Sequence, residues 1–178
     1  MEYPLTREKV ILLETTRDTG GELQRFEYVL PSRFSIPEHV HPRQEERHEV
    51  LSGTLWGRVG GRERSFGEGE RAVGPPGVPH AWRNASDREG LRIVSELRPA
   101  LHMEILLETS FGVMRAWKTN KMGAPGYLLQ LAVLADEVKD DFYFTGVPRP
   151  VWNAFMVASG VLARLGRMPS YPRYIGKG

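Results

Sequence analysis

The chain has 178 residues, a length at which one ordinary domain with an extension can bury a real hydrophobic core. Its 24 Lys and Arg residues stand against 22 Asp and Glu residues, and the resulting net charge of +2 gives no indication of a nucleic-acid partner. The absence of cysteine excludes disulfide frameworks, thiolate metal sites and cysteine nucleophiles, and it agrees with the cytoplasmic location that we expect.

The N-terminal stretch MEYPLTREKVILLETT contains acidic residues and an early proline, and it lacks the sustained apolar run of a secretion signal. The longest uncharged runs, 122–135 and 150–163, have 14 residues each, fewer than the roughly 20 that a membrane-spanning helix needs. We therefore expect no transmembrane segment.

Short segments rich in β-branched and aromatic residues fill the chain up to residue 98. KVILLETT and ELQRFEYVL come first, GTLWGRV and LRIVSEL come later, and Gly- and Pro-rich turns such as DTGG and GPPGVP separate them. Several short strands with this punctuation are typical of a β-sandwich or barrel. We expect a β-barrel domain over residues 1–98.

After Pro99 the apolar residues recur with a helical period. PALHMEILLETSFGVMRAWK, with its proline at the first helical position, GYLLQLAVLADEV and PVWNAFMVASGVLARL each predict a helix. The third is apolar on one face, at Val151, Phe155, Ala158, Leu162 and Leu165, and on the opposite face, at Trp152, Met156 and Ala163. We expect residues 99–178 to form a helical extension that packs on the barrel or forms a dimer interface.

The end of the chain is basic. Residues 149–178 contain five basic and no acidic residues. Such a segment is typical of a peripheral membrane anchor, but it also complements the acidic stretch DEVKDD at 136–141. We prefer docking on that stretch and keep membrane contact as the alternative.

Three of the five histidines lie in the stretch HVHPRQEERHEVLSG, residues 39–53. On a strand, the period of two places His39 and His41 on one face, and on the next strand Glu46 and His48 share a face. A second hairpin then delivers His80 after the turn PPGVP. Three histidines and a carboxylate that converge inside a barrel indicate a mixed nitrogen–oxygen site for one divalent transition metal: Fe, Mn, Ni, Co, Cu or Zn.

These residues resemble the two motifs of the cupin family. In the first motif, four residues separate His41 from Glu46 and six separate Glu46 from Gly53. In the second, the fixed positions are Gly69, Pro75, Gly77, His80 and Asn84. One position departs, because Arg33 stands where the family has a leading glycine. The resemblance implies a double-stranded β-helix (jelly-roll) barrel, a metal held by His39, His41, Glu46 and His80, and a homodimer.

Other interpretations of these residues stay open. The cluster also suits a metal-free acid–base site or a vestigial one, and Glu45 is a rival carboxylate to Glu46. His48 either fills space as a ring or acts as a catalytic proton shuttle beside the metal. Trp82 either packs the barrel mouth or contacts a ligand in the pocket.

A site of this kind supports two classes of function. The first is a small-molecule metalloenzyme of dioxygenase type or of isomerase or decarboxylase type, and we place the dioxygenase type marginally ahead. The second is a non-catalytic cupin that binds or senses a small ligand. The sequence alone does not identify the substrate or the native metal.

Overall fold

The structure is a computed structural model that describes residues 1–2, 7–119 and 123–165. In these residues the strands come first: β1 Lys9–Glu14, β2 Gln24–Leu30, β3 Ser35–Val40, β4 Glu45–Ser52, β5 Leu55–Val59, β6 Arg62–Phe66, β7 Arg71–Gly74, β8 His80–Asn84 and β9 Leu91–Arg98. After them come α1 Met103–Lys118, α2 Ala124–Val138, the short strand β10 Tyr143–Phe144 and α3 Arg149–Leu165.

The strands form two antiparallel sheets of five strands each. One sheet has the order β1-β2-β9-β4-β7 and the other has the order β10-β3-β8-β5-β6. Alternation along the strands supplies the core between the sheets, as in β4, where Glu46, His48 and Val50 are buried and Arg47 is exposed. The main core cluster consists of Leu30, Val50, Leu55, Phe66, Ala72, Trp82, Leu91 and Ile93. The predicted mainly-β jelly roll with a C-terminal helical extension is thus confirmed.

In each of the two motifs the chain crosses from one sheet to the other. β3 and β8 are paired in one sheet, whereas β4 and β7 are paired in the other. The expectation of a second hairpin that ends in His80 is therefore wrong: the PPGVP segment carries the chain across the sandwich rather than back along one sheet. Gly77 has the positive φ, +75°, that the tight turn of this crossing requires.

The departure at position 33 leaves the bend before β3 intact. Arg33 has φ +62°, so an arginine occupies a left-handed conformation that glycine adopts at no steric cost. The backbone N–H of Arg33 donates to the carbonyl of Ser86 at 3.1 Å, and that hydrogen bond helps to hold the bend.

The extension packs on the barrel. Leu107 and Phe111 of α1 lie in one apolar cluster with Val10, Phe26 and Leu97 of the first sheet. β10, which the sequence analysis did not foresee, adds a strand to the edge of the second sheet beside β3. The division of the chain at residue 98 stays a prediction.

One expectation about the helices needs correction, and one helix has two different faces. α1 begins at Met103 rather than at Pro99, because the segment 99–102 first forms a turn in which Leu101 has positive φ. In α3, Trp152 and Met156 are turned toward the rest of the protein. The opposite face of the helix is exposed at Val151, Phe155, Leu162 and Leu165. Among the described helices, none combines the length and the apolarity needed to span a bilayer.

The acidic stretch at 136–141 finds partners other than the basic tail. Asp141 is buried, and its carboxylate accepts hydrogen bonds from Arg43 and from both the backbone and the ring of His102. Asp136 pairs with Lys139. The expected tail docking falls mostly on residues 166–178, which lie outside the described residues, and it stays a prediction.

Candidate metal centre

The fold brings His39, His41, Glu46 and His80 together from both sheets. β3 and β8 place His39 directly opposite His80, and His41 follows the last residue of β3. Glu46 points inward from β4 in the other sheet. One ligand atom from each of the four side chains lies within 4.8 Å of all the others.

The group is almost completely removed from solvent. None of its four residues is more than 6 % exposed. Glu46 Oε2 lies 3.1 Å from His80 Nε2 and 3.8 Å from His39 Nε2. Both of these imidazoles therefore direct their Nε2 edge toward the carboxylate.

Backbone carbonyls determine the tautomers of the three histidines. The Nδ1 atoms of His39, His41 and His80 lie 2.9, 3.1 and 2.7 Å from the carbonyl oxygens of Pro37, Asp141 and Val78. A carbonyl only accepts, so in the neutral ring Nδ1 must carry the proton and Nε2 keeps its lone pair. This outer hydrogen bond is the usual orienting device of a metal-binding histidine.

Burial keeps the imidazoles of His39 and His41 neutral. It lowers the pKa of His39 to about 4, against the opposing attraction of Glu46. It also lowers the pKa of His41 below its ordinary value. At neutral pH both rings hold an unprotonated nitrogen, which is the form that binds metal.

Glu46 stays ionised in spite of its burial. Burial alone would raise the pKa of this carboxyl, but the neighbouring His48 holds it well below its usual value. The indole N–H of Trp82 also donates to Glu46 Oε2 at 2.7 Å. The carboxylate is thus fixed in place and available as an anionic ligand.

The donor set fits a divalent metal. His80 Nε2 is buried and has no hydrogen-bond partner, although an unsatisfied buried polar atom costs about 1–3 kcal/mol. A cation shared by three imidazole nitrogens and one carboxylate would satisfy that atom and neutralise the buried charge. The group can therefore hold a metal, and its nitrogen and oxygen donors leave the metal's identity open.

The rival carboxylate points elsewhere. Glu45 precedes Glu46 on β4, so its side chain projects from the opposite face of the sheet, where it pairs with Arg47. His102, in the turn before α1, contacts Asp141 instead of the cluster.

His48 lies behind the carboxylate. Its Nε2 is 3.5 Å from Glu46 Oε1, and its Nδ1 is 2.9 Å from Ser95 Oγ. Trp82 packs edge-on against the His48 ring at 4.7 Å and is 1 % exposed. Trp82 thus lies in the core beneath the cluster, which differs from the expected place at the barrel mouth.

Two glycines make room for this arrangement, and neither was predicted from the sequence to do so. A Cβ on Gly74 would come within 2.9 Å of His80 Nδ1, and a Cβ on Gly57 would come within 2.4 Å of the Trp82 ring. Neither has positive φ, so space alone demands glycine. A signal was present, because glycine inside a strand often marks a close approach.

A cavity of about 210 Å³ opens beside the cluster. Its floor includes His39, His41, Glu46 and Ser95. The barrel contributes Phe26, Tyr28, Ile36 and Leu97 to its walls, and the extension contributes Met103, Leu106, Leu107, Phe142 and Phe144. A small molecule in this cavity would touch both the potential metal ligands and the extension.

Comparison with known proteins agrees with this architecture. Residues 25–95 match the family model described as the cupin domain. No curated protein matches the sequence.

Similar solved structures cover about half of this chain. The cupin domain of Schizosaccharomyces pombe Cnp3 is 13% identical with a TM-score of 0.47, and the match covers 52% of this chain and 64% of that one. TT1209 from Thermus thermophilus is 23% identical with a TM-score of 0.48, covering 56% and 90%. A predicted oxalate decarboxylase from Thermotoga maritima is 16% identical with a TM-score of 0.49, covering 52% and 80%.

The matched range contains both histidine motifs and eight of the strands, β2 to β9, within a few residues of their ends. Residues 25–95 of this chain are therefore a cupin domain.

Proposed function

We propose that this chain is a metal-dependent enzyme that acts on a small organic molecule, with dioxygenase chemistry ahead of isomerase or decarboxylase chemistry. The observation that carries the proposal is the meeting of three carbonyl-oriented imidazoles and one carboxylate beside a cavity that His39, His41 and Glu46 help to line. A protein that only needed a stable core would be expected to fill this space with hydrocarbon.

His39, His41, Glu46 and His80 would hold one divalent transition metal. When bound, the metal would supply Lewis-acid polarisation of substrate oxygens or a site for dioxygen. Trp82 and the three carbonyl groups orient the ligands.

His48 is the proposed proton-handling group. It does not line the cavity, but its partner Ser95 does. A proton from a bound molecule would therefore reach His48 Nδ1 through the hydroxyl of Ser95, while Nε2 faces Glu46. In this arrangement His48 acts through Ser95 and also helps to position Glu46.

The first test is the metal content of three proteins: wild type, Glu46→Gln and Glu45→Gln. We expect one metal ion per chain in the wild type and in Glu45→Gln, and a loss of affinity of at least about tenfold in Glu46→Gln. If the wild type binds no divalent metal, or if both variants bind it equally well, the proposal is wrong.

The alternative is a cupin that binds or senses a small ligand without catalysis. One feature of the cavity favours this alternative. Among the described residues that line the cavity, Tyr28 and Ser95 are the only polar ones outside the cluster, so few other polar groups are at hand for catalysis. Nitric oxide added to the anaerobic Fe(II)-loaded protein distinguishes the two. A spectroscopic adduct supports an open position for dioxygen, and its absence at full iron loading favours the binder.

We further propose that α3 forms a homodimer interface. Apolar residues at steps of three and four make one exposed stripe along it: Val151, Ala154, Phe155, Ala158, Val161, Leu162 and Leu165. The small alanines in the middle permit close approach of a second helix. A second copy presents an equally uncharged stripe and is the favoured occupant.

Sedimentation velocity tests the dimer. Phe155→Glu and Leu162→Glu should each produce a monomer, whereas Asn153→Glu, beside the stripe, should leave the dimer intact. A monomeric wild type, or binding of the wild type to anionic vesicles that Phe155→Glu abolishes, would overturn the proposal. The expected cytoplasmic location stays a prediction.

A further inference from the structure

The helical extension builds one wall of the cavity directly on the candidate metal ligands. β10 is paired antiparallel with β3 so that Tyr143 lies opposite Val40 and Phe144 lies opposite His39. The Phe144 ring is 6.3 Å from the His39 ring, and the Phe142 ring is 6.0 Å from the His41 ring. Two phenylalanines thus stand beside two of the histidines.

These phenylalanines are held from behind. Phe142 and Phe144 contact each other edge-to-face at 5.7 Å, and Trp152 of α3 packs against them at 6.3 and 5.7 Å. Because three rings from two elements support one another, this aromatic wall is preorganised rather than formed by a loose loop.

The rest of the lining outside the cluster is also mostly apolar. It is built by Phe26, Tyr28, Ile36 and Leu97 of the barrel and by Met103, Leu106 and Leu107 of α1. Among the described lining residues there is no lysine or arginine, and the one charged side chain is Glu46.

This lining discriminates between classes of ligand. A small dicarboxylate that presents two adjacent oxygens to the cluster would leave its remaining carboxylate oxygens in apolar surroundings without a cationic partner, which is costly. An aromatic ring would instead bury its faces against Phe142, Phe144 and the apolar residues of the barrel and α1. A cavity of about 210 Å³ suits one ring rather than several.

We propose that the ligand of this site is a flat, single-ring aromatic molecule that presents two adjacent oxygen atoms to the cluster of His39, His41, Glu46 and His80. This inference rests on the metal-dependent function proposed above, since the two oxygens would bind the metal that the four side chains hold. Phe142 and Phe144 of the extension are then the residues that determine specificity.

The test uses Zn(II)-loaded protein, with the zinc content measured first, and two probes: 4-nitrocatechol, followed by absorbance, and oxalate, followed by calorimetry. Both probes present adjacent oxygens, but only the first carries an aromatic ring. We expect 4-nitrocatechol to bind wild type at least about tenfold more tightly than oxalate.

Variants assign the preference to the wall. Phe144→Ala and Phe142→Ala should each weaken 4-nitrocatechol binding by about tenfold and leave oxalate binding unchanged. Tyr143→Ala, between them on β10 and outside the cavity lining, is the matched control and should bind both probes as wild type does. Phe144→Leu keeps an apolar side chain without the ring and so controls for misfolding of the alanine variant. It should show an intermediate loss of 4-nitrocatechol binding.

The outcomes separate the two proposals. If wild type takes up no zinc, the proposed function fails before any probe is added. If zinc is bound but oxalate binds as tightly as 4-nitrocatechol, or if the alanine variants bind 4-nitrocatechol like wild type, the inference about the ligand is wrong while the metal site stands.

Discussion

His41 and Asp141 are joined by a hydrogen bond across 100 positions of the chain: the ring Nδ1 of His41 donates to the backbone carbonyl of Asp141 at 3.1 Å. The Asp141 carboxylate is in turn bound by Arg43 at 3.3 Å and by the His102 ring at 2.9 Å. The extension therefore orients one of the four candidate ligands, in addition to covering the cavity.

We expect Asp141→Ala to weaken metal binding. Loss of the buried carboxylate leaves the His102 backbone N–H without its acceptor and frees the segment whose carbonyl orients His41. Metal affinity should fall about tenfold and the free energy of unfolding by about 1–3 kcal/mol, measured by chelator competition and by urea titration.

The control for this change is Asp140→Ala, since Asp140 is the exposed neighbour in the same stretch. Asp140→Ala should alter neither quantity. Equal metal affinity in Asp141→Ala and wild type would contradict an orienting role for the extension.

Gly74→Ala should damage the cluster through His80. The added methyl would lie within 3.0 Å of three atoms of the His80 ring, so the ring must move away from its position opposite His39. We expect a loss of metal affinity of at least about tenfold, measured by competition with a chromophoric chelator. Gly67→Ala is the comparison, because its Cβ meets only Glu70 Oε2 at an ordinary 3.7 Å. Similar affinities in the two variants would show that His80 tolerates the displacement.

Arg33→Gly should stabilise the protein. Arg33 holds φ +62°, a conformation that costs a residue with a side chain roughly 1–2 kcal/mol, while its exposed ion pair with Asp87 contributes little. We expect a gain of about 1 kcal/mol in the free energy of unfolding by urea titration, reduced by the extra freedom of glycine in the unfolded chain. Arg33→Ala, which keeps the strain and loses the ion pair, should show no such gain; if it stabilises equally, the backbone conformation is not the cause.

The metal-free protein should become less stable as pH falls from 6.5 toward 4. Burial lowers the pKa of His39 to about 4, whereas the unfolded chain titrates near 6.5. Between these values the unfolded state binds more protons, so acidification favours unfolding, and the contribution is complete above pH 6.5. Urea midpoints in the presence of a chelator should rise with pH over this window.

His39→Gln supplies the comparison for the pH series. Without the titrating ring, the urea midpoint should rise less steeply between pH 4 and 6.5 than it does in wild type. His41, whose pKa burial also lowers, accounts for a remaining slope of the same sign. A wild-type midpoint that does not change over this window would contradict the assignment.

The sequence predicted the architecture of residues 1–98 because its signals are local. Alternating burial in β4, the positive φ of Gly77 and the change to helical period after residue 99 all depend on neighbours within a few positions. The resemblance to cupins rested on the number of residues between the motif positions. That spacing is kept although Arg33 stands where the family has a glycine.

What lay beyond the sequence depends on contacts between distant segments. The crossing of the PPGVP segment between sheets is decided by strand pairing, which no short window of sequence encodes. β10 is two residues long and owes its existence to the edge of β3. The place of Trp82 under Glu46 likewise depends on Gly57, whose missing side chain leaves room for the indole.

By itself, then, the sequence determined the strand-rich domain, its helical extension and which four side chains deserve to be considered together, since periodicity and spacing are properties of the chain alone. Only the tertiary structure decided that the extension orients His41 and lines the cavity with Phe142 and Phe144, because both relationships join segments about 100 residues apart through backbone pairing and packing.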